Sequence, residues 1–316
     1  MLSTRVTPNE KRKALRAGLA SGTIQRFPGA FTPLTAPLIE QLGFEGAYIS
    51  GAVMAAELGL PDIGLTTLSE VAERGRQISR MTDLPTLIDA DTGFGEAMNV
   101  ARAVHELEDA GVSGLHLEDQ VNPKRCGHLD GKEVVSLDLA VQRIAAAVRA
   151  RRDSDLLIMA RTDIRGVQGL GAAVDRAKAL EAAGADAIFP EAMATLEEFA
   201  AIRAAVDVPI LANMTEFGKS ALFTHQQLQD VGVNIAIHPV SLLRIAMGAI
   251  ERELGLLNET GTLDDAVPRM QTRARLYELN DYAAYNAFDE GVFDFEVPSG
   301  FAGGTTGEGS TGGDAS

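Results

Sequence analysis

Eight short, continuously apolar runs alternate with amphipathic helical stretches over most of this 316-residue chain. Such runs are typical of strands buried on both faces of a parallel sheet, because a strand with one solvated face would alternate apolar and polar residues. The count favours a single (β/α)8 TIM-type barrel, with an open doubly wound sheet as the alternative. No Gly-x-Gly-x-x-Gly motif follows the first run, which disfavours the dinucleotide-binding form of that alternative. The predicted strands are residues 23–31, 46–50, 85–90, 114–118, 156–160, 185–190, 209–212 and 233–237.

Helices are predicted between these strands and beyond the last one. Those between strands span residues 34–42, 69–81, 97–110, 136–151, 171–183, 196–205 and 224–230, and a long loop follows Gly51. Residues 241–254 and 264–279 form two more helices, for which a neighbouring subunit is a candidate packing partner. We predict one domain over residues 1–297. The Gly-, Ser- and Thr-rich segment 298–316 lacks the apolar residues to fold and is predicted to be a disordered tail.

The charge balance and the cysteine count limit the expected partners and location. Lysine and arginine number 28 against 44 aspartate and glutamate residues, a net charge of -16. This charge repels phosphate backbones and anionic membranes, so neither nucleic acid nor membrane is an expected partner. The single cysteine allows no intrachain disulfide, and no apolar run is long enough to cross a bilayer. These features favour a reducing, cytoplasmic setting.

Polar side chains concentrate where the predicted strands end. In a (β/α)8 barrel the chemistry lies at the carboxyl ends of the strands. Each such residue taken alone could be a loop cap or a solvated charge, but so many on one rim favour a functional site. They are Ser50, Asp89, Asp91, Glu118, Asp119, Arg161, Asp163, Glu191, Asn213, Thr215 and His238.

Three of these acidic residues are candidate metal ligands. Asp89 and Asp91 have the i, i+2 spacing of a strand, so both carboxylates face the same way if the strand extends that far. Two adjacent carboxylates repel unless a cation lies between them, and ligands that are all oxygen favour Mg²⁺ or Mn²⁺. Glu118 could reach the same metal, directly or through water. The planar groups suited to substrate carboxylates are those of Arg161, Arg244 and Arg273.

The stretch Lys124-Arg125-Cys126-Gly127-His128 contains the only cysteine. Its cations favour the thiolate and would lower the pKa of Cys126, while glycines at 127 and 131 would let the loop move. This combination suits a proton donor on a mobile lid. The alternative is that the cysteine is only a small buried apolar residue.

The motifs along the chain resemble those of the isocitrate lyase and phosphoenolpyruvate mutase superfamily, and within it those of the short 2-methylisocitrate lyases. The similarity covers about residues 22–282. The residues that carry it are Tyr48-Ile49-Ser50-Gly51, Leu60-Pro61-Asp62, Asp89-Ala90-Asp91 with Gly93-Phe94-Gly95, Glu118-Asp119-Gln120, Lys124 to His128, Met159-Ala160-Arg161-Thr162-Asp163, Phe189-Pro190-Glu191, Asn213 to Gly218 and Gln271-Thr272-Arg273.

The resemblance implies a homotetramer that exchanges its C-terminal helices between subunits, with Mg²⁺ on Asp89 and Asp91. The implied reaction cleaves (2S,3R)-2-methylisocitrate, a small tricarboxylate, to pyruvate and succinate in the methylcitrate cycle of propionate catabolism. Substrate contacts would be made by Ser50, Gly51, Ala52, Asp62, Cys126, Gly127, His128, Arg161, Glu191, Asn213, Thr215, Arg244 and Arg273.

The resemblance also implies roles in that reaction. Cys126 would deliver the proton to the succinate half. The base that removes the hydroxyl proton stays open between Tyr48 and the weaker candidate Asp62. Ala52 departs from the glycine common at its position, and His238 stands where a tyrosine is familiar. Groups that could stabilise charge on the aci-carboxylate are His128, Arg161, Asn213 and Glu191.

Other functions remain possible within and outside the superfamily. Isocitrate lyase, 2,3-dimethylmalate lyase and oxaloacetate hydrolase relatives share much of the pattern. A non-catalytic scaffold that binds a metabolite is disfavoured, because Cys126 and the pair Asp89 and Asp91 are all present.

Overall fold

A computed structural model of the chain describes residues 5–125, 127 and 131–293. Eight parallel strands pair in two sheets, one with the order β1-β8-β7 and one with the order β2-β3-β4-β5-β6. Isolated parallel bridges, Gly29 with Tyr48 and Ile188 with Ile210, connect β1 to β2 and β6 to β7. The predicted α/β, TIM-barrel-like class is confirmed. The strands are β1 (Gln25–Pro28), β2 (Ala47–Ile49), β3 (Thr86–Asp89), β4 (Gly114–Glu118), β5 (Leu157–Thr162), β6 (Ala187–Pro190), β7 (Leu211–Asn213) and β8 (Ile235–His238).

Helices cover the strands and continue beyond them. The helix beginnings follow capping chemistry: Thr7, Thr67 and Thr224 each form a capping box with the residue three positions later. The helices are α1 (Pro8–Ala20), α2 (Thr35–Gln41), α3 (Gly51–Glu57), α4 (Leu68–Ser79), α5 (Ala97–Asp109), α6 (Leu137–Ala150), α7 (Arg165–Ala182), α8 (Leu196–Arg203), α9 (His225–Asp230), α10 (Ser241–Thr260), a 3-10 helix (Asp264–Arg269), α11 (Arg273–Leu279) and α12 (Tyr282–Phe293).

Three helical predictions were wrong in detail. The predicted loop after Gly51 begins with helix α3, which is stabilised by the burial of Val53 and Met54. The predicted helix 264–279 is two elements, a 3-10 helix that ends at Arg269 and an α-helix that Thr272 caps. Helix α12 was not predicted.

The core has two layers, and the inner one determines where a site can lie. Side chains of β1 to β8 such as Phe27, Leu87 and Leu157 fill the space inside the strands, together with Leu15 and Leu19 of α1. The outer layer packs the other strand faces against the helices. Since α1 closes the amino-terminal end, the carboxyl ends of the strands remain for polar groups.

The C-terminal helices α10 and α12 contain no buried residue within the described chain. Their exposed apolar side chains include Ile245 at 67% and Phe288 at 60% exposure. The predicted exchange of these helices between subunits stays a prediction, as does the single domain over 1–297. The predicted tail lies outside the described residues. None of the described helices combines the length and apolar character needed to span a membrane.

Candidate active site

The carboxyl ends of the strands bring together most of the predicted site residues that the structure describes. Asp89 ends β3, Glu118 ends β4, Arg161 lies in β5, and Glu191 follows β6 directly. All four are buried. Parallel strands that end at one rim therefore collect four charges in a small volume, as the sequence predicted.

Asp89 and Asp91 lie close together, although the reason differs from the one predicted. Strand β3 ends at Asp89, and Asp91 has a left-handed backbone with φ 47°. The Asp91 N–H donates to Asp89 Oδ1 at 2.9 Å, which turns the chain back. A Cβ added at Gly51 would lie 2.8 Å from Asp89 Oδ2 and 3.4 Å from Asp91 Oδ1. Both carboxylates thus border the same point at the start of α3.

Lys124 places its ammonium among these acids. Its Nζ lies 2.7 Å from Asp91 Oδ1 and 2.5 Å from Asp62 Oδ1, and the side chain is buried. Burial opposes the charge on Lys124, but the negative field of Asp89 and Asp91 outweighs it and raises the pKa of the ammonium. The described structure therefore already neutralises the acidic pair with a cation.

Arg161 is surrounded by three carboxylates. Its Nη2 lies 3.2 Å from Glu118 Oε2 and 3.3 Å from Glu191 Oε2, while its Nε donates to Asp163 Oδ2 at 3.0 Å. The guanidinium also lies over the Phe189 ring, 5.1 Å from the centroid. These carboxylates overcome the effect of burial and raise the pKa of Arg161, so the group stays charged.

The Glu118 carboxylate is buried with an incomplete set of partners. Among the described residues, neither of its oxygens has a hydrogen-bond donor, and only the ion pair with Arg161 compensates its charge. Burial raises the pKa of Glu118 well above its usual range, against the lowering effect of Arg161. A carboxylate in this state favours the approach of a further cation or a proton.

The donor set suits Mg²⁺ but does not form a complete cage. Within residues 5–125, 127 and 131–293, no three His, Cys, Asp or Glu side chains are grouped so that they could hold a metal ion. Mg²⁺ usually binds one or two carboxylates and takes its remaining ligands from water and substrate. Asp89 and Asp91 meet that requirement, whereas Glu118 as a third ligand stays a prediction. A cation at Asp91 Oδ1 would have to replace the Lys124 ammonium.

His116 is a site residue that the sequence reasoning missed. Its Nε2 lies 2.7 Å from the Tyr48 hydroxyl, and its Nδ1 lies 3.7 Å from Asp89 Oδ1. Burial lowers the pKa of His116 to about 4 against the opposing effect of Asp89, so the ring is neutral at pH 7. Burial also raises the pKa of Tyr48. The available signal was the strand period, because residues 116 and 118 of β4 face the same side.

The far side of the rim contains polar groups suited to a substrate. Asn213 Nδ2 lies 3.3 Å from Glu191 Oε2, and Arg244 Nη1 donates to Thr215 Oγ1 at 3.1 Å. Glu216 Oε2 also accepts from Arg244 Nη1, at 2.8 Å. These side chains form a polar wall opposite the acidic pair.

Other predicted residues are placed as follows. Ser50 is buried as the residue before α3, and Ala52 is half-buried within α3. Arg273 is exposed at the start of α11, and no hydrogen bond or ion pair joins it to the site within the described part of the chain. His238 Nε2 lies 3.0 Å from His225 Nε2. Cys126 and His128 lie outside the described residues.

Gly127 shows where the cysteine-bearing loop meets the barrel. A Cβ on Gly127 would lie 2.5 Å from Glu191 Cγ and 2.6 Å from Arg161 Nη2. No side chain fits between this backbone and the two charged groups. The residue that follows Cys126 is therefore in direct contact with the predicted substrate-binding cluster.

Comparison with known proteins gives this arrangement a context. The sequence matches the family model described as phosphoenolpyruvate phosphomutase over residues 15–257. It is 62% identical over 299 residues to a probable 2-methylisocitrate lyase 2 of Corynebacterium glutamicum, which covers 95% of this chain and 97% of that protein. It is 48% identical over 265 residues to a 2-methylisocitrate lyase of Aeropyrum pernix, which covers 84% of this chain and 85% of that protein.

Solved structures share the fold. Oxaloacetate acetylhydrolase in complex with the inhibitor 3,3-difluorooxalacetate matches with a TM-score of 0.85 and 34% identity, over 91% of this chain and 98% of that one. A phosphonopyruvate hydrolase in complex with oxalate and Mg²⁺ matches with a TM-score of 0.81 and 31% identity, over 90% of this chain and 99% of that one. Both likenesses extend over nearly the whole described barrel.

Proposed function

This chain belongs to the phosphoenolpyruvate phosphomutase family, and within that family we propose that it is a lyase that cleaves (2S,3R)-2-methylisocitrate to pyruvate and succinate. The observation that carries the proposal is the position of Arg161 between Glu118 and Glu191, at one rim with the Asp89 and Asp91 pair. A permanent cation beside a site for a divalent cation suits a substrate with several carboxylates. The reaction belongs to the methylcitrate cycle of propionate catabolism, in the cytoplasm, which the single cysteine supports.

Asp89 and Asp91 would hold Mg²⁺, with Glu118 reaching it directly or through water; Mn²⁺ is the alternative. When bound, the metal supplies Lewis acidity toward the substrate's hydroxyl and adjacent carboxylate. The phosphonopyruvate hydrolase that binds oxalate with Mg²⁺ is a relative in which a small dicarboxylate and this metal occur together. Gly51 supports the assignment because the backbone must come close to both carboxylates, leaving no room for a side chain.

Arg161 and Asn213 would bind the half of the substrate that leaves as succinate. Breaking the carbon–carbon bond leaves negative charge on that half, delocalised into its carboxylate. The guanidinium is fixed by Asp163 before any substrate arrives, so its orientation costs little at the moment of reaction. Glu191 lies within 3.3 Å of both Arg161 Nη2 and Asn213 Nδ2 and, in its protonated form, would donate a hydrogen bond to the same carboxylate. Thr215 and Arg244 would bind a second carboxylate.

Cys126 would protonate the carbon released by bond cleavage, with His128 beside it. Support comes from its neighbour Gly127, whose backbone packs against Arg161 and Glu191. A proton donor must lie within hydrogen-bond reach of the atom that it protonates. The neighbouring residue Gly127 contacts Arg161, which we propose binds the substrate.

Tyr48 is the favoured base for the substrate hydroxyl over Asp62. Its own hydroxyl contacts His116, so Tyr48 could pass its proton to that ring as it accepts one, although burial lowers the pKa of His116 to about 4 and makes the ring a weak proton acceptor. Burial raises the pKa of Tyr48, which makes a standing phenolate unfavourable and favours such a concerted transfer. Asp62 is instead paired with Lys124.

A second candidate is hydrolysis or cleavage of a smaller dicarboxylate. The likeness to oxaloacetate acetylhydrolase favours it, at 34% identity. The lyase of C. glutamicum is nearly twice as similar in sequence, at 62%. We therefore rank 2-methylisocitrate ahead of oxaloacetate, 2,3-dimethylmalate and isocitrate.

With Mg²⁺ present, we expect the purified protein to release pyruvate from 2-methylisocitrate, followed through lactate dehydrogenase and NADH. Removal of the metal with EDTA is expected to abolish the release, because Asp89 and Asp91 alone cannot activate the hydroxyl. Added Mg²⁺ restores it. Glyoxylate formation from isocitrate, assayed in parallel, should be much weaker. If a folded, Mg²⁺-supplied protein forms no product from either substrate, the proposal fails, and oxaloacetate and 2,3-dimethylmalate become the next substrates.

We propose a homotetramer in which α10 and α12 pack on neighbouring subunits. Support comes from their exposed apolar side chains, including Leu254 at 59% and Phe293 at 79% exposure. The same packing would bring Arg273 to a substrate site, since α11 lies between those two helices. Light scattering should give about four times the 33.4 kDa chain mass. A monomer with full activity would contradict this assembly.

A further inference from the structure

Lys132 is buried where the cysteine-bearing loop returns to the barrel. Its side chain is 3% exposed. Its Nζ donates to the Gly127 carbonyl and to Asp163 Oδ1, the latter at 2.9 Å. A buried ammonium is costly unless it is paired and hydrogen-bonded, and these two acceptors supply both an ion pair and a second hydrogen bond. One lysine thus joins the loop to Asp163, the residue that follows strand β5.

Asp163 is a rigid anchor for that lysine. It is fully buried, and its N–H donates to Asp119 Oδ1 at 2.9 Å. Asp119 is held in turn by Arg176, whose Nη1 donates to Asp119 Oδ2 at 2.8 Å. The other oxygen of Asp163 accepts from Arg161 Nε at 3.0 Å. The carboxylate that receives Lys132 is therefore the one that orients the guanidinium of the site.

The other side of Cys126 is held in a similar way. Gln120 is 1% exposed, and its side-chain amide bonds the backbone of Arg125 twice. Its Nε2 donates to the Arg125 carbonyl at 2.8 Å, and its Oε1 accepts from the Arg125 N–H at 2.9 Å. The backbone is thus fixed at residue 125 by Gln120 and at residue 127 by Lys132.

We propose that Lys132 is a positioning residue that fixes the peptide after Cys126 relative to Arg161, with Gln120 acting in the same way at Arg125. The inference rests on the proposed function, in which Arg161 binds the charge and Cys126 provides the proton. A displacement of about 1 Å between such groups can cost roughly a hundredfold in rate. A single ammonium bonded to Gly127 and Asp163 prevents that displacement.

The test compares Lys132→Met and Gln120→Met with the wild type. Lys178→Met is the matched control, because Lys178 is exposed on α7 and loses the same charge. We expect kcat to fall between roughly tenfold and a hundredfold in both loop variants, with KM changed by less than about threefold. Lys132→Arg, which keeps a cation and donors, should recover part of the loss.

A second readout does not depend on turnover. Cys126 is the only thiol in the chain, so its rate of alkylation by iodoacetamide reports the loop directly. We expect alkylation to be several-fold faster in Lys132→Met and Gln120→Met than in the wild type and Lys178→Met, with melting temperatures compared for all four. If Lys132→Met does not fold, Gln120→Met carries the test, and Lys132→Arg is expected to lie between the wild type and Gln120→Met in both readouts.

The proposal would be overturned if Lys132→Met and Gln120→Met had the same alkylation rate and the same kcat as the wild type. A loss of kcat that merely follows a lower melting temperature while the alkylation rate is unchanged would also overturn it, since that result describes a structural role. If the wild type does not cleave 2-methylisocitrate, the proposed function fails, and faster alkylation still shows that Lys132 fixes the backbone beside Cys126.

Discussion

Replacing Arg161 by lysine is expected to lower kcat/KM for 2-methylisocitrate by roughly 10²- to 10³-fold. The guanidinium contacts Glu118 and Glu191 through Nη2 and a third carboxylate through Nε. A lysine has one terminal nitrogen and cannot keep this fork while presenting donors to a substrate carboxylate. Most of the loss should be in kcat, because the charge that Arg161 stabilises is greatest after the bond breaks.

Arg165→Lys is the matched control. Arg165 lies four residues further along the chain and pairs with Glu198 at 2.7 Å, with both side chains partly exposed. We expect its kcat/KM to stay within about twofold of the wild type, because a partly exposed ion pair contributes little. Near wild-type turnover in Arg161→Lys would remove Arg161 from the proposed mechanism.

Removing the charge at 161 should also destabilise the fold. Arg161→Met leaves Glu118 buried without the cation that pairs with it among the described residues, and breaking a buried pair on one side costs about 3–5 kcal/mol of unfolding free energy. Denaturant unfolding of Arg161→Lys and Arg161→Met would therefore separate the effect of losing the positive charge from the effect of losing the guanidinium shape.

The sequence predicted the fold well because buried parallel strands read as apolar runs. Five of the eight predicted runs contain the whole observed strand, and the other three stop one or two residues before the strand ends. Helix α3 was missed because Gly51 was interpreted as part of a loop, whereas it begins the helix beside Asp89. Glycine is required at position 51 because the backbone there comes close to the Asp89 carboxylate. This contact joins residues that are far apart in the chain, so the local sequence does not indicate it.

The sequence predicted which charged residues lie at the strand ends, but it did not predict the residues that support them. Residues at strand ends, such as Glu118 and Arg161, could be placed by counting strands. His116 lies inside an apolar strand, where a single polar residue does not by itself indicate a site, although it faces the same interior as Glu118. Lys132 and Gln120 could not be found, because each acts through a backbone group several residues away in the loop. Such supporting contacts depend on the tertiary structure more than on the local sequence pattern.

Replacing Cys126 by serine is expected to lower kcat by roughly 10³-fold, within the range usually lost with a general acid. The hydroxyl is nearly isosteric with the thiol, so KM should change little. It is a far weaker acid than the thiol, so the loss should be in kcat. Arg125 directly precedes the position, and a neighbouring cation favours a thiolate, whereas a serine hydroxyl stays protonated at neutral pH.

Cys126→Ala separates acid chemistry from packing. If the residue only filled space, both the alanine and the serine variant would keep turnover close to that of the wild type. If it delivers the proton, both should be equally slow, and the pH dependence of kcat should lose the limb that the thiol provides. The wild type, but not the two variants, should also exchange succinate methylene protons with D₂O in the presence of pyruvate and Mg²⁺, a reaction that NMR follows. Exchange that survives in Cys126→Ala would assign the proton to another group, and the contact of Gly127 with Glu191 makes that carboxyl the next candidate.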